Sequence, residues 1–502
     1  MLRVEVFLTM QTEIPNTLKM KRLLLLSVAS LMLVFQGVAQ EWVSISSDTP
    51  TPVKKELVSS DVNTTVVKFT LDGFYKQKVE TPNGIAYTIT TEDATPILKA
   101  GAPDVAKATS SVIIPDMDEM EISVINVYTK TFENIEVAPS KGNLYRDVNP
   151  DDVPFEYGEE YEQDAFYPAT HATLRTPYIL RDYRGQTIVV NPFRYNPVTK
   201  ELRVATEIEV KITSTGNTGE NTLIRDSELT TIDREFSNVY AGQFLNYGND
   251  SRYTPLEEDG SILIIAYTDY MDAMQPYIDW KIMTGLKVEM VDVEEIGGSS
   301  EIEAYIETYY NENDLTYCLL VGDGDQVPTS YANGDSDNNY SYIEGNDSYP
   351  EIFMGRYSAE SVADVETQVA RTVSYEKEPF TGEEWYPNSI SIGSDDGTGS
   401  QGDDGENDWE HLRNIQDDLN GFGYTYNYEF FEGNQGGNDG SGNPTSGPVA
   451  DAINSGATII NYTGHGSTTA WSTTGFNNGD VNDLVNADKL PFIWSVACKR
   501  RF

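Results

Sequence analysis

The sequence predicts an α/β fold with a mostly parallel sheet in its second half, preceded by a β-rich domain, and two patterns carry that expectation. After Tyr253, short and nearly continuous apolar runs alternate with stretches of helical periodicity, as in buried parallel strands joined by crossover helices. Before about Thr213, apolar and polar residues alternate at period two, as in strands buried on one face only. At 502 residues the chain is long enough for two or three domains, each with its own core.

In chain order, the β-rich part starts with Val66, Phe69 and Leu71 among Thr and Lys. It returns with Leu202/Val204 and Ile208/Val210/Ile212, the turn residues Asn196-Pro197-Val198-Thr199 lying just before them. Residues 41 to about 213 read as antiparallel β structure, and the polar stretch 214–252 reads as a connector that docks through Phe244-Leu245. Ile262-Leu263-Ile264-Ile265 is the first buried strand, followed by a helix expected over 270–284 and closed by Gly285. Val288 to Val293 and Tyr317 to Val321 are the next strands. Between them Ile302, Tyr305, Ile306 and Tyr309 fall on one helix face. Val362, Val365, Val369 and Val373 form another helical stripe, opened by Ser361 and Asp364 as a capping box. Ser389–Ile392, Ala457–Ile460 and Pro491–Val496 complete the strands, with helices at Leu412/Ile415/Leu419 and 447–455 between them. In such sheets ligands gather beyond the carboxyl ends of the strands. Three loops rich in Asx and Gly are expected there, 333–347, 395–408 and 431–447.

The charge balance is lopsided, with 34 basic against 80 acidic side chains and a formal net charge of −46. Nucleic acid and anionic membrane surfaces repel such a chain, so both are excluded as main partners. Divalent cations and basic peptides suit it, and solubility alone also explains an acidic surface. Met20-Lys21-Arg22, the apolar run Leu23–Phe35 and Gly37-Val38-Ala39-Gln40 have the three-part form of a secretory signal peptide. The expected leader is therefore 1–40 with translation starting at Met20, and export to the cell surface or medium follows. Its apolar run is shorter than the ~20 residues that a spanning helix needs. With only two cysteines, no disulfide framework is available.

Histidine occurs only at 171, 411 and 465 and cysteine only at 318 and 498, so a thiol–imidazole enzyme has few pairings to choose from. Cys318 lies inside the apolar strand Tyr317–Val321, where a thiol is inert. His171 belongs to the β-rich region, and His411 sits on a helix beside Glu410. His465, in Asn461-Tyr462-Thr463-Gly464-His465-Gly466-Ser467, and Cys498 both follow directly on strands. An imidazole beside a thiol raises its nucleophilicity, and flanking glycines let backbone N–H groups face a developing oxyanion. Placement alone leaves open a tight glycine turn holding a histidine, with a buried cysteine nearby.

Several longer segments resemble the gingipain family of cysteine peptidases. They are Tyr253-Thr254-Pro255-Leu256-Glu257-Glu258, Leu315–Asp323, Gly345-Asn346-Asp347-Ser348-Tyr349, Phe353-Met354-Gly355-Arg356, Asn461–Ser467 and Leu490–Cys498, in the family's order and near its spacing. The resemblance runs from 253 to 498 and, more loosely, over the β-rich region, which looks like the family's propeptide. It implies a caspase-like α/β catalytic domain of two subdomains, 253–385 and 386–502, behind a propeptide at 41–252, and cleavage after basic residues. It implies His465 and Cys498 as the catalytic pair, with Gly466 at the oxyanion. Asp396 corresponds to a further catalytic acid, although relatives carry the longer Glu, and an ordinary Asx turn is the alternative. Asp408 matches the acid of an arginine-specific S1 pocket, a carboxylate being able to take a guanidinium bidentately; a helix N-cap would equally place an Asp there. Processing after Arg252 would be self-cleavage by an arginine-specific enzyme. The resemblance also implies structural calcium at Asp323, Glu344, Asp347, Tyr349, Glu351, Glu406 and His411, some through main-chain carbonyls.

Relatives continue past the cysteine where this chain reads Lys499-Arg500-Arg501-Phe502 and stops. The expectation is a second subdomain left incomplete and a 502-residue product with little or no activity of its own. Two further readings stand beside the digestive protease: a cell-surface peptidase that trims or transfers exported proteins, and a catalytically dead calcium-binding surface protein.

Overall fold

The computed structural model describes residues 40–144, 148, 150–225, 229–249, 255–331, 334–378, 384–396, 406–486 and 488–497. Residues 1–39 of the expected leader, Arg252 and Cys498 lie outside the described residues.

The N-terminal half is antiparallel β structure, as its period-two patterning predicts. Glu201–Thr218 is its spine, pairing with Thr64–Thr70, with Phe193–Asn196 and along most of its length with Asp118–Phe132. A second sheet runs through Tyr178–Leu180, Tyr183–Val190 and Ala106–Ile113. Val67, Phe69, Val190, Phe193, Tyr195, Leu202, Val204, Ile208 and Val210 fill the core between these sheets. The stretch read as a connector is itself structured. Its first residues extend the spine strand to Thr218, and Arg234–Gln243 forms a helix whose Phe236 and Tyr240, with Phe244, pack against Tyr178 and Tyr183. Phe244 therefore docks, as its isolation in a polar stretch suggests.

The C-terminal half contains two four-stranded parallel sheets of the same topology. The first comprises β1 (Ser261–Ala266), β2 (Lys287–Asp292), β3 (Leu315–Val321) and β4 (Phe353–Tyr357), in spatial order β2-β1-β3-β4. The second comprises β5 (Asn388–Gly393), β6 (Tyr426–Phe431), β7 (Ile459–Thr463) and β8 (Phe492–Val496), in order β6-β5-β7-β8. Every residue of β1 is buried, which is why it reads as an unbroken apolar run. The helix expected over 270–284 is two short 3₁₀ turns followed by an α-helix at Gln275–Met283, ended by Gly285 at φ 106°. Ser361 caps the helix Val362–Lys377, its Oγ accepting from the Asp364 N–H. The strand order reverses between β1 and β3 and again between β5 and β7. Loops diverge at such switch points and leave a crevice at the carboxyl edge. The architecture is the expected one, a β-rich region followed by an α/β region with parallel sheets.

The two halves are in contact. Thr231–Asp233 pairs in parallel with Leu256–Glu258. Arg181, buried and in the left-handed region at φ 46°, reaches into the first α/β subdomain. Its guanidinium donates to the carbonyls of Leu315 and Glu351 at 2.5 and 2.9 Å and to Asp314 Oδ1 at 2.6 Å.

Candidate active site

The second switch point brings together residues that the sequence nominates separately. β5 ends at Gly393, where any Cβ would meet Leu412 Cδ1 and Trp409 Cα at 3.0 Å. Glycine lets the helix Asp408–Phe422 close over the strand end. The N-cap of that helix is Asn407, whose N–H donates to Glu410 Oε2 at 2.9 Å, so Asp408 is its first helical residue and not its cap. Asp408 Oδ2 instead accepts from Ser394 Oγ at 2.5 Å, and its N–H donates to the Asp396 carbonyl at 3.0 Å. The loop after β5 thus folds back on the helix start.

From the neighbouring β7, Gly464 makes the turn that presents His465. A Cβ at 464 would sit 2.5 Å from Thr473 Oγ1, so only glycine fits. The His465 carbonyl accepts from the buried Tyr462 hydroxyl at 2.5 Å and from Ser472 N–H at 2.8 Å, which fixes the backbone beneath the ring. The imidazole extends to the β5 loop, where Nε2 hydrogen-bonds Asp396 Oδ2. Both side chains remain more than a third exposed, open to a substrate. With Asp396 ionised, Nε2 carries the ring proton and Nδ1 keeps its lone pair. An aspartate is long enough for this contact.

β8 continues the edge of the sheet. Thr463 faces Val496 in register, and Gly464 N–H donates to the Val496 carbonyl at 3.2 Å. Trp471 Nε1 also donates to Ser495 Oγ at 3.1 Å. Thr463 and Val496 stand two residues before His465 and Cys498 respectively. Gly466 forms an isolated bridge with Trp471. Cys318, by contrast, is buried in β3, and burial pushes its thiol well above the ordinary range, as expected for an inert core cysteine. His171 is half-buried beside Arg194 in the N-terminal half, remote in sequence and sheet from the α/β region.

Sequence reasoning missed Ser394, Tyr462 and Glu432. Burial, with Asp395 and Asp396 nearby, raises the Glu432 carboxyl above its usual value. Nothing in the patterning marks these three residues, because a hydroxyl or carboxyl just beyond a strand, as at Ser394 and Glu432, is commonplace, and Tyr462 is a buried aromatic within β7.

The nominated calcium ligands divide among three places. Glu344, Asp347, Tyr349 and Glu351 share the loop before β4. Asp347 Oδ2 accepts from Ile179 N–H and Asn221 Nδ2, and Glu351 Oε2 from the Ile343 and Glu344 amides. Glu351 is fully buried, and that burial lifts its carboxyl to about 7. Asp323 lies at the other end of β3, where Oδ1 accepts from Ser358 Oγ. Glu406 Oε1 and His411 Nδ1 pair at 2.7 Å. Oxygen-rich loops of this kind have the donor chemistry of a hard cation site. Among the described residues, however, no three His, Cys, Asp or Glu side chains form a metal cage by themselves. A cavity of about 470 Å³ lies at the amino ends of β1, β3 and β4, bounded by Arg234, Asp259, Tyr317 and Phe353, away from the carboxyl edge that carries Asp323.

Comparison with known proteins matches residues 256–501 to peptidase family C25 and residues 47–251 to the C25 propeptide. Gingipain R2 of Porphyromonas gingivalis is 36% identical over 452 residues, covering 88% of this chain and 59% of the relative. Lys-gingipain W83 of the same organism is 23% identical over 498 residues, covering 94% of this chain and 27% of the relative. The chain thus spans about three-fifths of the length of Gingipain R2. Among solved structures, that of the Arg specific cysteine proteinase gingipain R aligns at 37% identity and TM-score 0.45, covering 49% of this chain and 56% of that one. The complex of Porphyromonas gingivalis RgpB pro- and mature domains aligns at 33% identity and TM-score 0.37, over 40% of this chain and 98% of that one.

Proposed function

The chain belongs to peptidase family C25, and from that premise we propose that it is the precursor of an exported cysteine endopeptidase that cleaves after basic residues, with arginine preferred. The observation that carries the reading is the hydrogen bond between His465 and Asp396 at the switch point of β5 and β7, with Asp408 tied into the same loop.

In this reading Asp396 holds the imidazole by Nε2–H and leaves Nδ1 to take the proton of Cys498. The thiolate attacks the scissile carbonyl carbon, a C–S bond forms, and the carbonyl electron pair moves onto oxygen. The Gly466 N–H meets that oxyanion. The oxyanion collapses, the C–N bond breaks, and the imidazolium returns its proton to the leaving amine. Water, deprotonated by the same nitrogen, then hydrolyses the thioester and restores the thiol. Asp408 receives the substrate guanidinium, for which a carboxylate offers two parallel acceptors. Residues 41–252 act as the propeptide, released by cleavage after Arg252, and the leader 1–40 directs export. Calcium is the proposed structural cofactor, held by Asp323, by the loop with Glu344, Asp347, Tyr349 and Glu351, and at Glu406 and His411; it would neutralise carboxylates that burial otherwise penalises.

The test is turnover of reporter peptides ending in Arg, Lys or a neutral residue by the full chain and its Cys498→Ala variant. Cleavage after Arg that disappears in the variant supports the reading. Unchanged cleavage in the variant would show a different nucleophile.

A further inference from the structure

Building on the roles just assigned to Asp396 and Asp408, we propose that Ser394 is a positioning residue that couples recognition of the substrate's basic side chain to alignment of the catalytic imidazole. Ser394 follows directly on β5 and is 1% exposed. Its hydroxyl donates to Asp408 Oδ2 at 2.5 Å and accepts from the Asp396 N–H at 3.4 Å. Its own N–H donates to the Thr463 carbonyl at 3.1 Å, two residues before His465. The Asp408 N–H closes the circuit on the Asp396 carbonyl at 3.0 Å. One buried residue therefore touches the S1 acid, the acid that holds the imidazole and the strand that carries the histidine.

The hydroxyl has a single proton, and here it goes to Asp408. A guanidinium arriving at Asp408 withdraws charge from that carboxylate and loosens its hold on the Ser394 proton. Hydrogen bonds in a buried chain polarise one another, so the change passes to the Asp396 main chain that Ser394 accepts from. The same hydroxyl also holds the Asp408 carboxylate in one rotamer, fixing where the guanidinium must sit. A site built this way aligns its imidazole best when an arginine side chain is in place, and neutral side chains leave it slack.

The experiment compares wild type, Ser394→Ala and Ser394→Thr, as full chains, on two reporter peptides that differ only in an Arg or a neutral residue before the scissile bond. Ser394→Ala is expected to lower kcat/KM on the Arg peptide about tenfold or more, the scale of one hydrogen bond to a charged group, with a fall in kcat as well as a rise in KM. The slower cleavage of the neutral peptide should change less than about threefold, and Ser394→Thr, which keeps the hydroxyl, should return the Arg peptide to within about threefold of wild type. An equal loss on both peptides would reduce Ser394 to a structural residue and overturn the coupling. So would wild-type rates in Ser394→Ala. Wild type that cleaves neither peptide matches the expectation of little or no activity for the 502-residue product and overturns the coupling as a property of this chain.

Discussion

His465 Nε2 and Asp396 Oδ2 hydrogen-bond across 69 residues of chain, because β5 and β7 are adjacent and their loops leave the sheet at the same edge. A carboxylate on one ring nitrogen selects the tautomer with a lone pair on the other, which is the form a thiol needs beside it. Asp396→Asn should therefore lower kcat on an Arg-terminated peptide by about 10²- to 10⁴-fold with little change in KM. Asp396→Glu, which keeps the charge with one more methylene, should retain more activity than Asn. Steady-state kinetics on the three proteins checks this, and equal activity in Asn and wild type would remove Asp396 from the mechanism.

Asp408 stands at the first turn of the helix Asp408–Phe422, its carboxylate fixed by Ser394 and its N–H by the Asp396 carbonyl. Replacing it with Ala leaves a guanidinium without its anion. The expected result is a loss of about 10²-fold in kcat/KM on Arg peptides, the scale of a charge-assisted bidentate pair, and little loss on neutral ones. A uniform loss on both would mean that Asp408 serves the helix start and not the substrate.

Much of this site is legible in the sequence, and the gaps have physical causes. β1 and β3 read correctly because they are buried almost throughout and show as continuous apolar runs, whereas the strand expected over Ala457–Ile460 meets β7 only at Ile459 and Ile460, because β7 runs on through the polar residues Asn461 and Thr463. His465 stands out because histidine is rare here and follows a strand. Which residue caps the helix is not decided by composition, since Asn407 and Asp408 are both good caps, and the structure selects Asn407. The reach of Asp396 depends on how closely two loops approach, which no spacing reveals. Arg181 is the least legible feature of all, with partners 133 to 170 residues away and no periodic pattern around it.

Arg181 provides its own prediction. Its buried guanidinium joins the amino ends of β3 and β4 through the Leu315 and Glu351 carbonyls and stacks 4.8 Å from the Phe236 ring. Arg181→Ala leaves those carbonyls without their donor and should destabilise the full chain by about 3 kcal/mol, read from denaturant unfolding. Arg181→Gly also loses the anchor but relieves the left-handed backbone, so its loss should be smaller by about 1 kcal/mol. Stability equal to wild type in both variants would show that the contact between the halves does not depend on this residue.

Calcium is expected to appear first as stability. A ligand that binds only the folded chain adds about 2.7 kcal/mol at a hundredfold excess over its Kd. Adding a calcium chelator should therefore lower the Tm by several degrees, and restoring calcium should reverse the change. The double variant Asp347→Asn with Glu351→Gln should lose most of that response. A Tm indifferent to the chelator would remove the metal from the account.

Asp104 should make the N-terminal half less stable as pH rises. Burial alone lifts its carboxyl to about 6 from an ordinary 3.8. Between those values the folded chain holds a proton that the unfolded chain has released, so raising the pH across this window favours unfolding. The cost is absent below about 3.8, complete above about 6 and amounts to about 3 kcal/mol. Asp104→Asn cannot ionise, so it should be more stable than wild type at pH 8 and equal to it near pH 3.8. Unfolding curves of both proteins at the two values decide the matter, and an Asn variant less stable than wild type at pH 8 would mean that the carboxylate has a favourable partner in the folded chain.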